Sequence, residues 1–331
     1  MHCVLVDPYA TRNAHRLRAL GTPWTIDCVS RTDPYDQLTE ALGAADAVVA
    51  QGWDAAIARC APDLGLLQLP NTGTEAVDWS AVPERCVVAN TYEHEIPVAE
   101  FVMLAMLESR IGIRELDRCF RGGDWSMSHR AFGPTHGELA GATLGLIGYG
   151  HIGKAVAIRA RTFGVNVVAV SRRRPDDASL LDWSGDMQAL DAMLPRCDFL
   201  VIGCPLTPET RSLIDARRLA LLPGHATVIN VARGEIIDEA ALFAALESGS
   251  LAAAALDVWW RYPTETDVGP SPSRFPFDRL PNVLMTPHVS AWTEPMLDRR
   301  WNMIAANLDR YERGMPLLNV VERRFLSEVK P

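Results

Sequence analysis

The chain has no apolar run approaching the ~18–20 residues that a membrane-spanning helix needs. Its richest aliphatic stretch, residues 251–256, is far shorter. It also lacks an excess of positive charge. The formal net charge is -9, whereas a nucleic-acid binder presents a basic field. Neither nucleic acid nor a membrane is therefore an expected partner. The opening, MHCVLVDPYATR, has neither the basic segment nor the long apolar segment of a secretory signal. The seven cysteines, at 3, 28, 60, 86, 119, 197 and 204, are scattered, odd in number and contain no CxxC pair. That excludes a disulfide framework and a zinc site as readings, so no metal is expected. The expectation is buried thiols in a cytoplasmic protein.

What is present fits an ordinary globular enzyme. At 331 residues, 48% hydrophobic and 22% charged, the chain is long enough for about two domains of ~150 residues each. Short β-rich runs alternate with helical spacing over the first hundred residues. MHCVLVD, residues 24–29, ADAVVAQ, LGLLQLP and residues 87–90 read as strands. Residues 11–20, 38–43 and 54–60 read as helices. One long helix is expected over residues 97–121, with Pro97 at its first position and Gly122-Gly123 as its stop. A second series follows: LGLIGYG, VNVVAV, DFLVIGC, ATVINVA, LAAAALDVW and NVLMTPH. Most of these strands are aliphatic throughout, as strands covered on both faces should be. A final helix is expected near residues 293–314, and residues 261–281 form a long proline-rich loop. The rhythm predicts an α/β protein with parallel sheets.

The strongest local motif is GLIGYGHIGKAVAIRARTFGVNVVAVSRRR. A strand leads into Gly148-x-Gly150-x-x-Gly153, which opens a helix, and a second strand follows at βαβ distance. Gly148 permits the tight turn, Gly150 admits a pyrophosphate to the backbone, and Gly153 lets helix and strand approach. The helix N-terminus favours the phosphates. Tyr149, His151 and Ile152 complete this turn, and the alternative is a glycine-rich packing turn. At the end of the second strand an NAD enzyme usually carries Asp or Glu. Here Ser171 is followed by Arg172, Arg173 and Arg174. A carboxylate would repel a 2'-phosphate, while hydroxyl and guanidinium groups bind it. NADP(H) is therefore expected in preference to NAD(H). Arg172 is the first choice, Arg173 the second, and Arg174 is expected to face solvent. A solvated arginine cluster is the alternative.

GLIGYGHIG, CPLTPETRSLI, VINVARGEIIDEAALFAALESG, AALDVW and NVLMTPHVSAWT occur in this order. With these blocks the chain resembles the D-isomer-specific 2-hydroxyacid dehydrogenase family along nearly its whole length. The resemblance implies a Rossmann-like cofactor domain, residues 101–289. It would be inserted into a discontinuous flavodoxin-like substrate domain, residues 1–100 plus 290–331, with the active site in the cleft between them. It implies an oxidoreductase acting on CH–OH, which passes hydride to C2 of a 2-keto acid, and a homodimer joined through the cofactor domains and the long helix. Arg233 matches the arginine that binds the substrate carboxylate and polarises its carbonyl, and His288 matches the acid/base. Thr74 and Glu75 match a substrate loop, and His94 falls where the family chain passes the cleft. Asp257 matches a residue on the nicotinamide side. Its alternative is a carboxylate that caps the next turn. Cys204, Pro205 and Thr210, with Val231 and Ala232, fall along the cofactor path.

One departure stands out. The family glutamate that pairs with the histidine is replaced by Tyr262, a neutral group near pH 7. Glu265 or Asp267 in the loop are candidate substitutes. A lower pH optimum for reduction is expected, or a natural reaction other than simple keto-acid reduction. Trp259, Trp260 and Trp292 are expected near the cleft, in keeping with a larger substrate. Two alternatives stay open: oxidation of a small acid of the formate or phosphite type, and a dinucleotide-sensing regulator with weak turnover. Against the phosphite type, Thr72 stands where a lysine would lie.

Overall fold

The computed structural model describes residues 1–173, 175, 177–264 and 267–321. The chain forms two compact units. The first joins Met1–Glu93 to the segment from Thr293 onward, and the second is the intervening His94–Trp292.

The first unit is built on β1 (His2–Val6), β2 (Thr25–Val29), β3 (Ala47–Val49), β4 (Leu66–Gln68) and β5 (Val87–Ala89). They form one parallel sheet in the order β2-β1-β3-β4-β5. Helices α1 (Pro8–Arg12), α2 (Ala14–Ala19), α3 (Tyr35–Gly43) and α4 (Ala55–Cys60) connect the strands. Residues 11–20 were expected as one helix, but the chain breaks at Asn13. The Asn13 amide side chain donates to the Tyr9 carbonyl at 2.8 Å and competes with helical bonding. Successive strand residues point to opposite faces, so an all-aliphatic strand feeds two cores at once. Val4, Val6, Val48 and Leu67 pack with Trp53 and Ile57 on one face. Cys3, Leu5, Val49 and Leu66 pack with Leu17, Trp301 and Leu308 on the other.

A fully buried polar network closes this unit. The Asn307 amide, from the last helix (Glu294–Glu312), donates to Gln68 Oε1 at 2.8 Å and to the Leu318 carbonyl at 3.0 Å. Gln68 in turn donates to the Ala89 carbonyl and to the Thr91 hydroxyl. The chain beyond that helix then pairs antiparallel beside β5, with Val320 opposite Ala89.

The second unit carries β6 (Thr143–Ile147), β7 (Asn166–Val170), β8 (Trp183–Gly185), β9 (Phe199–Ile202), β10 (Thr227–Asn230), β11 (Ala253–Leu256) and β12 (Val283–Met285). All pairs are parallel, in the order β12-β11-β10-β9-β6-β7-β8. Strand β8 has no aliphatic run and was not foreseen; it is recruited by pairing with Val168–Val170. The expected single helix over 97–121 is two helices, α5 (Glu95–Ile111) and α6 (Ile113–Arg121). Gly112, at φ 69°, takes the left-handed conformation that ends one and starts the other. Pro97 is the third residue of α5 rather than the first. It is tolerated because first-turn N–H groups have no acceptor within the helix. The remaining helices are α7 (His151–Thr162), α8 (Leu190–Met193), α9 (Ala216–Leu219), α10 (Glu239–Glu247) and α11, the Glu294–Glu312 helix of the first unit.

Among its described residues, the proline-rich segment after residue 260 is irregular except for a 3-10 turn at Phe277–Arg279. It is nonetheless anchored. Phe277 is 1% exposed and stacks on Trp260, with ring centroids 5.6 Å apart. That burial is worth roughly 1.5–3 kcal/mol. Buried Glu239 accepts from the Ser273 hydroxyl, the Arg274 N–H and the Arg274 side chain at 2.7–2.9 Å. Among the described residues, no helix is long and apolar enough to cross a membrane.

Candidate active site

The turn after β6 is shaped by what its glycines lack. Gly148 sits at φ 99°, and a Cβ on it would lie 2.8 Å from the Gly203 carbonyl oxygen. A Cβ on Gly153 would lie 2.4 Å from the Gly148 carbonyl oxygen, so α7 could not seat against β6 with any larger residue there. Gly150 differs: a Cβ there would meet nothing within 4 Å. Open space therefore lies over the start of a 12-residue helix whose first N–H groups have no intrahelical acceptor. These are the features that a dinucleotide pyrophosphate requires. The turn residues differ in what they offer. His151 is exposed and Ile152 half-buried, whereas the Tyr149 ring is 7% exposed and packs in the core with Val156. Tyr149 thus presents backbone to a ligand, not its ring. Cys204, Val231 and Ala232 are likewise buried, and burial pushes the Cys204 thiol up to about 12.

At the end of β7, the Ser171 hydroxyl donates to the Arg173 carbonyl, and the Arg172 and Arg173 side chains are exposed. Arg172 lies within electrostatic reach of Glu209. Arg174 lies outside the described residues. Thr210 was expected on the cofactor path. Its hydroxyl donates to the Pro205 carbonyl at 2.8 Å and accepts the Thr207 N–H at 2.7 Å, so it staples its own loop.

The ends of β10, β11 and β12 bring the second group together. Asn230 ends β10 and is fully buried. Its Oδ1 accepts the Ala232 N–H at 3.1 Å, and its amide donates to the Arg233 carbonyl at 2.9 Å. This side chain holds the turn that presents Arg233. A Cβ on Gly234 would lie 2.5 Å from the Trp259 backbone, so the same turn is pressed against the segment after β11.

Asp257 was expected to line the nicotinamide side. It is fully buried, and both its oxygens are occupied. Oδ1 accepts the Thr286 hydroxyl at 2.7 Å and the Val289 N–H at 2.8 Å, while Oδ2 accepts the Ser290 N–H at 2.9 Å. The carboxylate thus brackets the turn that carries His288. His288 adopts φ 57°, a conformation costing about 1–2 kcal/mol for a residue with a Cβ. Three bonds from one buried carboxylate hold it there.

His288 and Tyr262 form a pair, with Tyr262 Oη 3.0 Å from His288 Nδ1. The Trp259 backbone N–H donates to the same phenol oxygen at 3.2 Å. A backbone amide can only donate, so the phenol proton is free to be given to Nδ1. The phenol oxygen can equally accept Nδ1–H, and in that arrangement neutral His288 keeps an open lone pair on Nε2. Burial raises the Tyr262 phenol above its ordinary value, so it stays neutral. The His288 side chain retains exposed surface yet lies deep enough that desolvation lowers its pKa below the ordinary value. Asp257 opposes that shift, and the Arg233 charge adds to it. Arg233 acts on both rings, so these four side chains form one electrostatic cluster.

The remaining expected residues lie apart from this cluster in the chain. Thr74 and Glu75 follow the Asn71–Gly73 turn of the first unit, where the Thr72 hydroxyl donates to the Thr91 carbonyl at 2.9 Å. His94 directly precedes α5, and its side chain makes no capping hydrogen bond there. Glu265 lies outside the described residues. Trp260 was expected beside a cleft, but its indole stacks on Phe277 and donates to the Ile237 carbonyl at 3.1 Å. Trp259 is 5% exposed and Trp292 58%. The sequence reading passed over Asn230, Gly234 and the Trp259 N–H. Only Asn230 left a trace, as an Asx residue at a strand end three places before the arginine.

Residues 103–290 match the model of the D-isomer specific 2-hydroxyacid dehydrogenase NAD-binding domain. The chain belongs to the D-isomer-specific 2-hydroxyacid dehydrogenase family. These are NAD(P)-dependent oxidoreductases acting on CH–OH groups. A glycerate dehydrogenase from Methylorubrum extorquens is 34% identical over 79% of this chain and 80% of its own length. A D-3-phosphoglycerate dehydrogenase from Methanocaldococcus jannaschii is 32% identical over 82% of this chain, which spans half of that relative's length. An NADPH-dependent glyoxylate/hydroxypyruvate reductase from Sinorhizobium meliloti, solved with NADP and sulfate, superimposes with a TM-score of 0.80. It is 26% identical, and the alignment covers 97% of this chain and 98% of that one. The family's two-part α/β architecture is the one seen here.

Proposed function

We propose that this dehydrogenase interconverts a 2-keto acid and its D-2-hydroxy acid, with NADP(H) preferred over NAD(H). The observation that carries the reading is the Tyr262–His288 bond at 3.0 Å within the field of Arg233. A carboxylate beside a ketone offers two oxygens to a planar fork of donors, which Arg233 supplies. Charge grows on the carbonyl oxygen as reduction proceeds, and the same guanidinium stabilises it. His288 gives that oxygen a proton in reduction and takes one in oxidation. When bound along the Gly148–Gly153 turn, the nicotinamide dinucleotide supplies or accepts the hydride. Asp257 and Tyr262 hold the imidazole, the first through its turn and the second through Nδ1.

The lowered His288 pKa sets the direction in which each pH favours the reaction. Imidazolium, the donor for reduction, dominates only below the ordinary histidine value of ~6.5. At pH 7 the neutral ring is the proton acceptor, which suits oxidation of the hydroxy acid.

Ser171, Arg172 and Arg173 support the NADP(H) preference, as does the bound NADP of the Sinorhizobium meliloti relative. The test is oxidation of NADPH and of NADH against a panel of 2-keto acids. In the double variant Ser171→Asp, Arg172→Ala, the NADPH/NADH ratio of kcat/KM is expected to fall by at least about tenfold, one lost charge-assisted contact being worth ~1.5–3 kcal/mol. An unchanged ratio would overturn the preference. A homodimer through α5 and α6 is part of the same reading. Leu104, Ile113 and Phe120 on these helices, and Trp125 just beyond them, are all more than half exposed, apolar surface of the kind that marks association. Light scattering of the purified chain tests it.

A further inference from the structure

A recess of about 380 Å³ opens beside the acid/base pair, wholly within the second unit. It shares Tyr262 with that pair, and Thr286 and Pro287 on its wall lead directly into His288. At roughly 30 Å³ per water, this is room for about a dozen waters, far more than the hydrogen or hydroxymethyl side chain of a small 2-keto acid would fill. Its size falls at the lower end of the range for pockets that hold organic ligands, ~300–1,000 Å³.

The chemistry of the wall is hydrocarbon and ring. Trp259 and Tyr262 supply aromatic surface, Met285 a polarizable thioether, and Pro263, Pro270, Pro272 and Pro287 supply pyrrolidine rings. The polar handles are already engaged elsewhere. The Trp259 indole N–H donates to the Thr286 carbonyl at 2.8 Å. The Thr286 hydroxyl donates to Asp257, and the Tyr262 oxygen holds the Trp259 N–H and His288. Arg261 is the one charged group on the lining. The two limbs of the loop are clasped where the Arg261 N–H donates to the Pro272 carbonyl at 3.1 Å. The recess therefore has a fixed frame. An ammonium group would find no partner on such a wall and an anion only Arg261, whereas a flat apolar ring finds stacking faces over most of it and a guanidinium for a cation–π contact.

We propose that this recess takes the side chain of the substrate and that the side chain is an aryl group. The chain would then act on aryl-bearing 2-keto acids in preference to glyoxylate-sized ones. This deepens the 2-keto acid reading and rests on it. Met285 and Arg261 are its specificity-determining residues, and neither takes part in the proton or hydride steps.

The test compares phenylpyruvate with glyoxylate, NADPH being supplied to both, in the wild type and in Met285→Trp, which fills the recess. The wild type is expected to favour phenylpyruvate in kcat/KM by at least about tenfold, the scale that apolar pocket contacts supply. Met285→Trp should erase that preference while changing glyoxylate turnover by less than about threefold. Arg261→Ala should cost phenylpyruvate a few-fold. A wild type that reduces glyoxylate at least as well as phenylpyruvate, or a Met285→Trp variant that loses both alike, would overturn the assignment. Saturation-transfer NMR of 3-phenyllactate on the NADP⁺-loaded wild type reads occupancy without turnover. Saturation of the aryl protons that phenylacetate competes away supports the recess, and absence of saturation overturns it. Failure of every 2-keto acid to turn over, with aryl saturation retained, would sink the proposed reaction and leave the aryl site standing.

Discussion

Two places along one sheet edge achieve precise backbone geometry by opposite means. After β6 the turn is shaped by missing side chains: Gly148 and Gly153 leave no room for a Cβ, and Gly150 leaves the space above it open. After β10, β11 and β12 the turns are shaped by side chains that reach across. Asn230 holds the Arg233 turn, Asp257 holds the His288 turn, and Tyr262 holds the imidazole. The first solution suits a ligand that would be held by the protein's own backbone amides, so it needs nothing but shape. The second must aim charged and titrating atoms, which takes hydrogen bonds of defined direction.

Substitutions on the two sides should therefore fail differently. The largest effect is expected for Arg233→Ala and for His288→Asn, each lowering kcat/KM by about three orders of magnitude with NADPH affinity nearly unchanged. Steady-state kinetics with a fluorescence titration of NADPH separates the two quantities. Gly153→Val acts on the other side. It forces α7 away from β6 at a cost of about 1–3 kcal/mol, or roughly fivefold to 150-fold in NADPH Kd, with a lowered Tm. Asp257→Asn keeps the shape but presents an amide N–H where a backbone N–H now donates, leaving one donor unpaired. A loss in kcat of about tenfold is expected with NADPH Kd unchanged.

The smallest effect is a displacement along the pH axis. With His288 lowered by burial, kcat/KM for reduction is expected to be flat at low pH and to fall as pH rises through a value below about 6.5. Oxidation should rise through the same limb. In Tyr262→Glu a carboxylate at Nδ1 stabilises the imidazolium, so the reductive limb should move up by about one pH unit. A pH profile whose limb stays in place would show that Tyr262 does not set the ionisation of His288.

The same contrast explains what could be read in advance. Glycine spacing is a local steric demand, so GLIGYGHIG identified its turn without any partner. Eleven of the twelve strands among the described residues sit where β-rich runs predicted them; the exception is β8, whose WSG has no such run. Arg233 and His288 were named only because flanking residues matched a family pattern. Of their supports, Tyr262 was named in the place of the family glutamate and Asp257 with a turn-capping alternative, but the reach of Asp257 to Ser290 spans 33 positions and nothing in either neighbourhood points to the other. Gly112 was hidden for a different reason: helical spacing on both sides, apolar before it and charged after it, masked a single left-handed residue. The arginines at 172 and 173 were visible, but not the Glu209 that stands near the first.

The order in which the first sheet is completed has a consequence for how the protein is made. Gln68 and β5 leave the ribosome early, but Asn307 and Val320, which satisfy them, are translated only after the whole of His94–Trp292. Until then a buried-type amide lacks its partner, and a strand edge of the kind that invites pairing with other chains stays open. The inserted unit, contiguous in sequence, has no such wait and is able to fold as it emerges. Nascent chains stalled before α11 should therefore display a protease-resistant second unit alongside a first unit still open to chaperones.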